Sequence, residues 1–360
     1  MRLSRGRVTT IGLVVLALLG FVFLRGPTPD IKIKPETIAS LKFVGTINIT
    51  NTMITSWLVV ATVIVAVFLA TRRWEPVPRG VQNVVEAVLE AFYNLVVSVA
   101  GEKNGRRFFP VVATIFFFVL ASNWLSLLPV FNAIGLSKEE EHGFVMEQAD
   151  VGFDVTWVPF SNLNNLSGDT IEEDDPKAGE KLQQAHQDGK FVGELLPLFR
   201  GPNTDLNTPL ALAIASAIAV ESWGITSLGF FIYGRKFFNF GRAFRGLFRR
   251  NFRMMFEGAI DAFVGFLELV SETVRLISFT FRLFGNMFAG EVVILMFTFL
   301  TPLVVTIAFY GLEMFVGIIQ AFIFAVLTLV FGMMAVSHAL EGHSGEGQHQ
   351  ATESVAHEAH

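Results

Sequence analysis

Long apolar segments alternate with short polar ones along most of the chain. Apolar runs fall at about 54–70, 108–128 and 209–233, and two longer ones follow at about 258–300 and 303–337. About 20 apolar residues are enough for a helix to cross the hydrocarbon core of a bilayer. The pattern therefore predicts an all-α integral membrane protein with about five to six membrane helices.

The last two apolar runs are too long to stand upright in a membrane. Pro302 divides the segment 256–337, and at 1.5 Å per residue the two helices would measure roughly 60 and 50 Å. A bilayer core is only about 30 Å thick. We therefore expect a long, strongly tilted antiparallel hairpin that packs against a partner.

Two other segments depart from the simple alternation of spans and loops. In 76–100, apolar positions recur at helical spacing while Gln82, Glu86 and Glu90 lie on another face, which is typical of an amphipathic helix at the membrane surface. Residues 1–25 begin with three arginines within the first seven positions, and a short apolar run follows them. This start is compatible with a signal peptide and with an N-terminal anchor, and the sequence leaves both open.

These patterns divide the chain into six parts. They are an N-terminal signal peptide or anchor (1–25), an extracytoplasmic segment (26–53), the first membrane helices (54–134), an acidic extracytoplasmic insertion (135–200), a channel core (201–340) and a flexible tail (341–360).

Composition and charge orient the predicted helices. The chain is 52% hydrophobic and contains no cysteine, which excludes disulfides and thiolate metal sites. Residues 130–208 carry 15 Asp or Glu against 5 Lys or Arg, whereas residues 234–255 carry seven basic residues and no acidic one. Because basic loops stay cytoplasmic, we expect the acidic insertion outside and the C-terminus in the cytoplasm of a multi-pass protein. The basic segment fits anionic lipid, and no nucleic-acid partner is expected.

The first hairpin helix carries charges that lipid would not tolerate. An ionised side chain at the centre of a bilayer costs at least about 2.5–3.5 kcal/mol. Six such groups must face protein, water or each other, which makes them candidates for an ion path. They are Asp261, Glu268, Glu272, Arg275, Arg282 and Glu291.

Helical spacing arranges these charges in two tiers. Arg282 lies on a stripe of small residues that continues through Asn286, so another helix can approach it closely. Counted from the turn at Pro302, Glu291 and Glu313 lie at similar depth, and Arg282 and Gln320 lie level with each other. Carboxylates can relay protons, whereas arginine stays charged and cannot pass a proton on. The arrangement requires a moving partner that carries its own carboxylate past Arg282.

Several segments resemble subunit a of F-type ATP synthases. They are SFTFRLFGNMFAGE (278–291), QAFIFAVLTLVF (320–331), TNTMITSW (50–57), ASNWLSLLP (121–129) and TDLNTPLALA (204–213). These motifs occur in the family's order and spacing. Residues 1–25 and the insertion around 137–190 depart from the family's short bacterial pattern.

The resemblance implies a function and a set of site residues. Arg282 corresponds to the essential arginine that faces the rotating c-subunit ring, whose carboxylates it meets, and Asn286 matches the asparagine of the same motif. Some family members carry histidine where Glu313 stands. The remaining matches fall on positions associated with two proton half-channels or with polar helix ends: Glu291, Glu313, Gln320, Asp205, Asn207 and Asn123.

The same resemblance implies a non-catalytic subunit. ATP is made elsewhere in the complex, the partners are the c-ring, the peripheral-stalk b subunits, the rest of the ATP synthase and the lipid bilayer, and no cofactor or metal is expected. The overall pattern favours a bacterial inner (plasma) membrane. The coupling ion, proton or sodium, stays open.

Three charged residues are assigned on weaker grounds. Glu221 either lines the cytoplasmic channel or extends towards the basic segment, and Glu268 and Arg275 either flank the channel mouth or pair with each other. A secondary transporter would show a repeated half with matching broken helices, and no such repeat is seen in this sequence. A structural scaffold would leave the buried charges unexplained.

Overall fold

The structure is a computed structural model that describes most of the chain. The described residues are 12, 15, 31, 33–42, 46–72, 80–128, 131, 134–150, 154–158, 170–171, 176–230, 233–234, 252–300 and 304–358. Three predicted features lie outside them in whole or in large part: the N-terminal segment 1–25, the turn at Pro302 and the basic segment 234–255.

Six α-helices account for most of the described residues. Five of them are long and apolar enough to cross a membrane, the exception being α3. This confirms the predicted all-α integral membrane fold. The helices are α1 (Asn51–Thr71), α2 (Val81–Ser126), α3 (Ala178–Gln187), α4 (Asn207–Leu228), α5 (Phe252–Leu300) and α6 (Val304–Glu358).

Helix α2 (Val81–Ser126) covers most of the predicted surface helix 76–100 and of the span at 108–128, and residues 76–79 lie outside the described residues. The helix is interrupted at Gly101, where φ is 72° and ψ is 165°. Residues with a side chain rarely adopt positive φ, so glycine is the residue that allows the chain to change direction here. The break falls between the two segments that the sequence pattern separates.

Helices α5 and α6 pair antiparallel. The Phe297 and Phe309 rings stack with centroids 4.1 Å apart, and further along the pair Phe279 and Phe324 are 4.8 Å apart. Because α5 has 49 residues, it is about 70 Å long. Helix α6 also extends beyond the apolar segment into 341–358, where a flexible tail was predicted, and no proline interrupts it there.

The described chain forms two compact units. Unit 1 contains residues 1–62, 120–205 and 284–319, and unit 2 contains residues 63–119, 206–283 and 320–360. Each unit contains three segments, which come from the first, middle and last parts of the sequence. Residues far apart in the chain therefore meet within one unit.

Unit 1 contains β-structure that the all-α prediction did not include. Strands β1 (Thr37–Lys42) and β2 (Thr46–Thr50) form an antiparallel pair. In the acidic insertion, β3 (Gly135–Asp150) pairs antiparallel with β4 (Asp154–Trp157), β5 (Thr170–Ile171) and β6 (Phe191–Pro197). Helix α3 completes a small core in which Val145, Ile171, Ala185 and Val192 are buried. These few apolar positions are hidden among charged ones in the sequence, which explains why the strands were not predicted.

Unit 2 has an apolar core built largely from aromatic rings. Phe108 of α2 stacks on Trp223 of α4 with centroids 4.1 Å apart, and Phe92 stacks on Phe116 within α2 at 4.7 Å. Val112 and Leu329 are fully buried beside them. Packing of this kind holds α2, α4 and the second half of α6 together.

Candidate functional site

Unit 1 buries a cluster of polar side chains in an otherwise apolar membrane protein. Burying such groups is costly unless they are hydrogen-bonded, so a cluster of this size is typical of a functional interior. Its members, here called the polar cluster, are Asn51, Thr52, Thr55, Ser122, Asn123, Arg200, Asn203, Thr204 and Asp205.

The segment before α4 links this cluster to α1. The Thr52 hydroxyl donates a hydrogen bond to a carboxylate oxygen of Asp205 at 2.9 Å. The backbone N–H of Arg200 donates to the Thr55 hydroxyl oxygen at 3.3 Å. Asp205, selected from the sequence, is thus buried and held by α1, whereas Asn207 is exposed at the first residue of α4.

Asn123 joins the end of α2 to two other segments of unit 1. Its side-chain amide donates to the Gly317 carbonyl of α6 at 3.2 Å, and its amide oxygen accepts from Asn203 at 2.7 Å. The neighbouring Trp124 indole donates to the Met314 carbonyl at 3.2 Å. Asn123 therefore lies inside the polar cluster.

The polar cluster contacts Glu291 through a buried ion pair. A guanidinium nitrogen of Arg200 lies 3.2 Å from a Glu291 carboxylate oxygen, and only 7% and 13% of the two side chains are exposed. Arg200 also donates to the Lys34 carbonyl at 3.3 Å. Arg200 was not selected from the sequence, although it is the only Lys or Arg between Lys190 and Arg235.

Glu313 lies against the same part of α5. A methyl group at Gly290 would overlap the Glu313 carboxylate, so the absence of a side chain there makes room for that carboxylate. Among the described residues, one Glu313 carboxylate oxygen is buried without a hydrogen-bond partner. Buried polar atoms without a hydrogen-bond partner are rare in native structures, and a role in proton transfer is one explanation for them. Glu313 thus lies against Gly290, the residue that precedes Glu291, as expected for two carboxylates at similar depth.

Arg282 belongs to unit 2 and lies on an open face of α5. Its guanidinium is 3.5 Å from the Ser278 hydroxyl and 6.0 Å from the centre of the Phe279 ring. Leu283 beside it is fully buried, whereas Phe281 is more than half exposed. The arginine therefore borders an apolar surface that unit 2 itself leaves uncovered.

Gln320 lies on the opposite helix of the hairpin. The pairing of Phe279 with Phe324 brings residue 320 level with about residue 283 of α5. Gln320 is 2% exposed. Elsewhere in unit 2, the Ser216 and Thr328 hydroxyls form a buried hydrogen bond of 2.8 Å. The predicted level of Arg282 and Gln320 agrees with this register.

A second group of ionisable side chains lies in unit 2. The Tyr233 phenol lies beside the Glu221 carboxylate, and Glu272 and Arg275 are close enough to interact with it electrostatically. The Arg275 guanidinium stacks over the Phe331 ring at 3.8 Å. Glu221 and Arg275 are thus brought into one neighbourhood, and Tyr233 joins them without having been selected.

Two further positions predicted from the sequence lie on α5. Asn286 is exposed one turn beyond Arg282 on α5, and Glu268 is half-buried two turns before Arg275. Within the described ranges, no group of three or more His, Cys, Asp or Glu side chains is placed to hold a metal ion.

Comparison with known proteins assigns the chain to a family. A sequence model for the family described as ATP synthase A chain matches residues 53–332. The chain belongs to the ATP synthase A chain family. The match includes every site residue selected from the sequence and all five helices capable of crossing a membrane, at least in part.

Individual members of the ATP synthase A chain family are similar over most of their length. The ATP synthase subunit a of Moorella thermoacetica is 26% identical over 299 residues, which cover 83% of this chain and 94% of that relative. The ATP synthase subunit a of Gloeobacter violaceus is 28% identical over 297 residues, covering 81% and 85%. The resemblance found in the motifs is thereby confirmed, and the chain is a multi-pass membrane protein of this family.

Proposed function

We propose that this chain is the stationary subunit a of an F-type ATP synthase and conducts protons through two aqueous half-channels that are separated by Arg282. The observation that carries this proposal is the buried polar cluster of unit 1, which ends at Glu291. An apolar membrane protein has no packing reason to bury so many polar groups. A path for protons gives each of them a use.

The outer half-channel consists of unit 1 residues. The polar cluster supplies hydroxyl, amide and carboxylate groups from Asp205 and Asn123 towards Glu291 and Glu313. Unit 1 also contains the acidic insertion, which the charge distribution assigns to the outside of the membrane. Protons enter from that side and reach the two carboxylates on the hairpin.

The inner half-channel consists of unit 2 residues. Glu221, Glu268 and Arg275 line it, and the Tyr233 phenol stands beside Glu221. The basic segment 234–255, which follows α4 directly, is cytoplasmic by the positive-inside rule. Protons leave the membrane along this route, and the C-terminus lies on the same side.

Arg282 separates the two routes. Its guanidinium keeps its charge at any physiological pH and cannot relay a proton. It also attracts an ionised carboxylate that a ring of c subunits brings past the open face of α5. A c-subunit carboxylate takes up a proton from the outer route, travels around with the ring, and releases it to the inner route.

The resulting activity is transport coupled to rotation, in the inner membrane of a bacterium. Each proton that crosses the membrane potential supplies about 2.3 kcal/mol per 100 mV. The chain makes no ATP itself and acts with the c-ring, the peripheral-stalk b subunits and the rest of the complex. The family assignment decides against a secondary transporter or a passive scaffold.

The two half-channels can be tested with single introduced cysteines. The measurement is the side of the membrane from which a water-soluble reagent reaches each cysteine. Because the chain has no cysteine, the thiol introduced by Thr204→Cys in the outer route or by Glu221→Cys in the inner route is the only thiol of this chain that can be labelled. In right-side-out and inverted vesicles, Ag⁺ is added to one side, and the remaining free thiol is then labelled after denaturation. We expect Ag⁺ to block Thr204→Cys from outside and Glu221→Cys from the cytoplasmic side.

A membrane-facing position provides the control for this experiment. Val65 is an exposed residue of α1 within an apolar span, so Val65→Cys should react from neither side. Blocking of Thr204→Cys and Glu221→Cys from the same side would contradict two separate half-channels.

Gly290→Ala should impair proton transport without destabilising the helix. The added methyl group displaces the Glu313 carboxylate, while the helix itself gains up to about 1 kcal/mol from the replacement of glycine. Misplacing a transfer group has a large kinetic cost, and we expect ATP-driven pumping in inverted vesicles to fall about fivefold.

Gly311→Ala is the matched control for this substitution. Gly311 lies on α6 two residues from Glu313, and a methyl group there meets nothing within 4 Å. It has the same effect on helix propensity but leaves the carboxylate in place. Equal pumping by both variants would contradict a role for the position of Glu313.

A further inference from the structure

Arg200 is the most deeply buried cation that the structure describes in unit 1. Its side chain is 7% exposed and lies 3.2 Å from Glu291, which is 91 residues away in sequence. Arg200 belongs neither to the hairpin nor to any motif selected from the sequence. Its place in the proton path therefore comes from the fold alone.

We propose that Arg200 is a positioning residue of the outer half-channel, which fixes the Glu291 carboxylate and balances its charge inside the protein. This inference rests on the proposed function, because it assigns a role relative to Glu291 in proton entry. Arg200 itself cannot relay protons, since its guanidinium has no accessible neutral form.

Two hydrogen bonds hold Arg200 independently of Glu291. Its backbone N–H donates to Thr55 of α1, a second guanidinium nitrogen donates to the Lys34 carbonyl, and Arg200 directly precedes Gly201 and the short 3-10 helix Pro202–Thr204. The Lys34 carbonyl therefore holds the guanidinium independently of Glu291, and the Thr55 hydroxyl fixes the backbone of Arg200. A fixed cation can orient a carboxylate on a neighbouring helix, whereas a mobile surface cation cannot.

The charge balance follows from the burial of both partners. An isolated carboxylate in a protein interior is strongly unfavourable, and a nearby opposite charge offsets much of this cost. Removing one partner leaves an uncompensated buried charge, whereas neutralising both partners together is often tolerated. A charge-balancing role therefore predicts that two harmful substitutions cancel each other.

The test compares four variants of the whole complex in native membranes: Arg200→Lys, Arg200→Gln, Glu291→Gln and the double variant Arg200→Gln with Glu291→Gln. The amount of assembled complex is measured first, and ATP-driven pumping per assembled complex second. We expect Arg200→Gln to reduce assembly at least about fivefold, because it leaves the Glu291 charge unbalanced. Arg200→Lys should keep at least about half of the assembly and measurable pumping, since it retains the charge.

The double variant decides between charge balance and simple packing. We expect it to assemble at least about threefold better than Arg200→Gln while pumping no protons, because Glu291 is missing. If its assembly is as poor as that of Arg200→Gln, Arg200 acts through its shape and the proposal is wrong. The proposal also fails if Arg200→Gln assembles and pumps like the wild type.

An exposed ion pair provides the matched control. Arg106 and Glu102 on α2 are four residues apart, and about 70% of each side chain is exposed. Because exposed pairs contribute little, Arg106→Gln and Glu102→Gln should each assemble and pump normally.

Arg282→Ala distinguishes a failure of the proposed function from a failure of the role of Arg200. Pumping by Arg282→Ala overturns the proposed function, whereas wild-type behaviour of Arg200→Gln with an inactive Arg282→Ala overturns the role of Arg200 alone.

Discussion

Glu291→Gln should reduce ATP-driven proton pumping per assembled complex by at least about 100-fold, since proton transfer by a positioned acid–base group contributes factors of this size. Glutamine has nearly the same shape as glutamate and can still accept a hydrogen bond from Arg200, but it cannot take up and release a proton. The side chain is 13% exposed and meets the polar cluster at the hairpin. Because pumping is normalised to the assembled complex, the loss reports the missing proton exchange at residue 291 and not the lower assembly that an unbalanced Arg200 would cause.

Glu257→Gln is the matched control for this prediction. Glu257 lies on the same helix, is largely exposed, and pairs with the exposed Arg253 at 3.2 Å. The same chemical change there should leave pumping unchanged, because this pair is solvated. Both variants are measured by fluorescence quenching in inverted vesicles, with ATP hydrolysis recorded in parallel. Pumping by Glu291→Gln at more than about half the wild-type rate would remove Glu291 from the proton path.

The hairpin could be predicted from the sequence because its geometry is local. Two apolar helices on either side of one proline must run antiparallel, and the rise per residue then sets which residues lie at equal depth. The position of Glu313 beside Gly290 agrees with that count. Glu221 and Arg275, for which the sequence left two interpretations open, belong to unit 2, whereas Glu291 and Glu313 belong to unit 1.

Arg200 and its contacts could not be predicted in this way. The Arg200–Glu291 pair spans 91 residues and the Thr52–Asp205 hydrogen bond spans 153, so neither follows from spacing within one helix. Asp205 and Asn207, two residues apart, were selected together, but only Asp205 is buried. The difference depends on which side of the chain faces α1, and the sequence pattern does not specify this.

The strands of the acidic insertion could not be predicted from the sequence for another physical reason. Their core consists of four buried apolar residues with Ala178 and Leu182 packed against it. A pattern this small is masked by the charged residues around it, including those of β3. The long range of the β3–β6 pairing, from Gly135 to Pro197, adds to the difficulty.

Arg282→Ala should abolish ATP-driven proton pumping while the complex still assembles. The side chain is only partly buried, and the one hydrogen bond described for it, to Ser278, is long at 3.5 Å. Its removal therefore costs little packing. In the proposed mechanism, the substitution removes the permanent cation on the open face of α5 that separates the two half-channels and attracts the ring carboxylate.

Arg282→Lys refines this expectation. Lysine keeps the charge but not the planar guanidinium with its five donors, so it cannot hold a carboxylate in the same two-point geometry. We expect pumping to fall by at least about tenfold in this variant as well. Comparing Arg282→Lys with Arg282→Ala shows whether transport requires only a positive charge or also the planar guanidinium.

The decisive measurement is therefore ATP-driven pumping by Arg282→Ala in inverted vesicles, normalised to the amount of assembled complex and to its ATP hydrolysis. The proposed mechanism predicts no pumping from a complex that still assembles and hydrolyses ATP. Pumping at the wild-type rate would contradict the mechanism, and the charged hairpin would then have only a structural role.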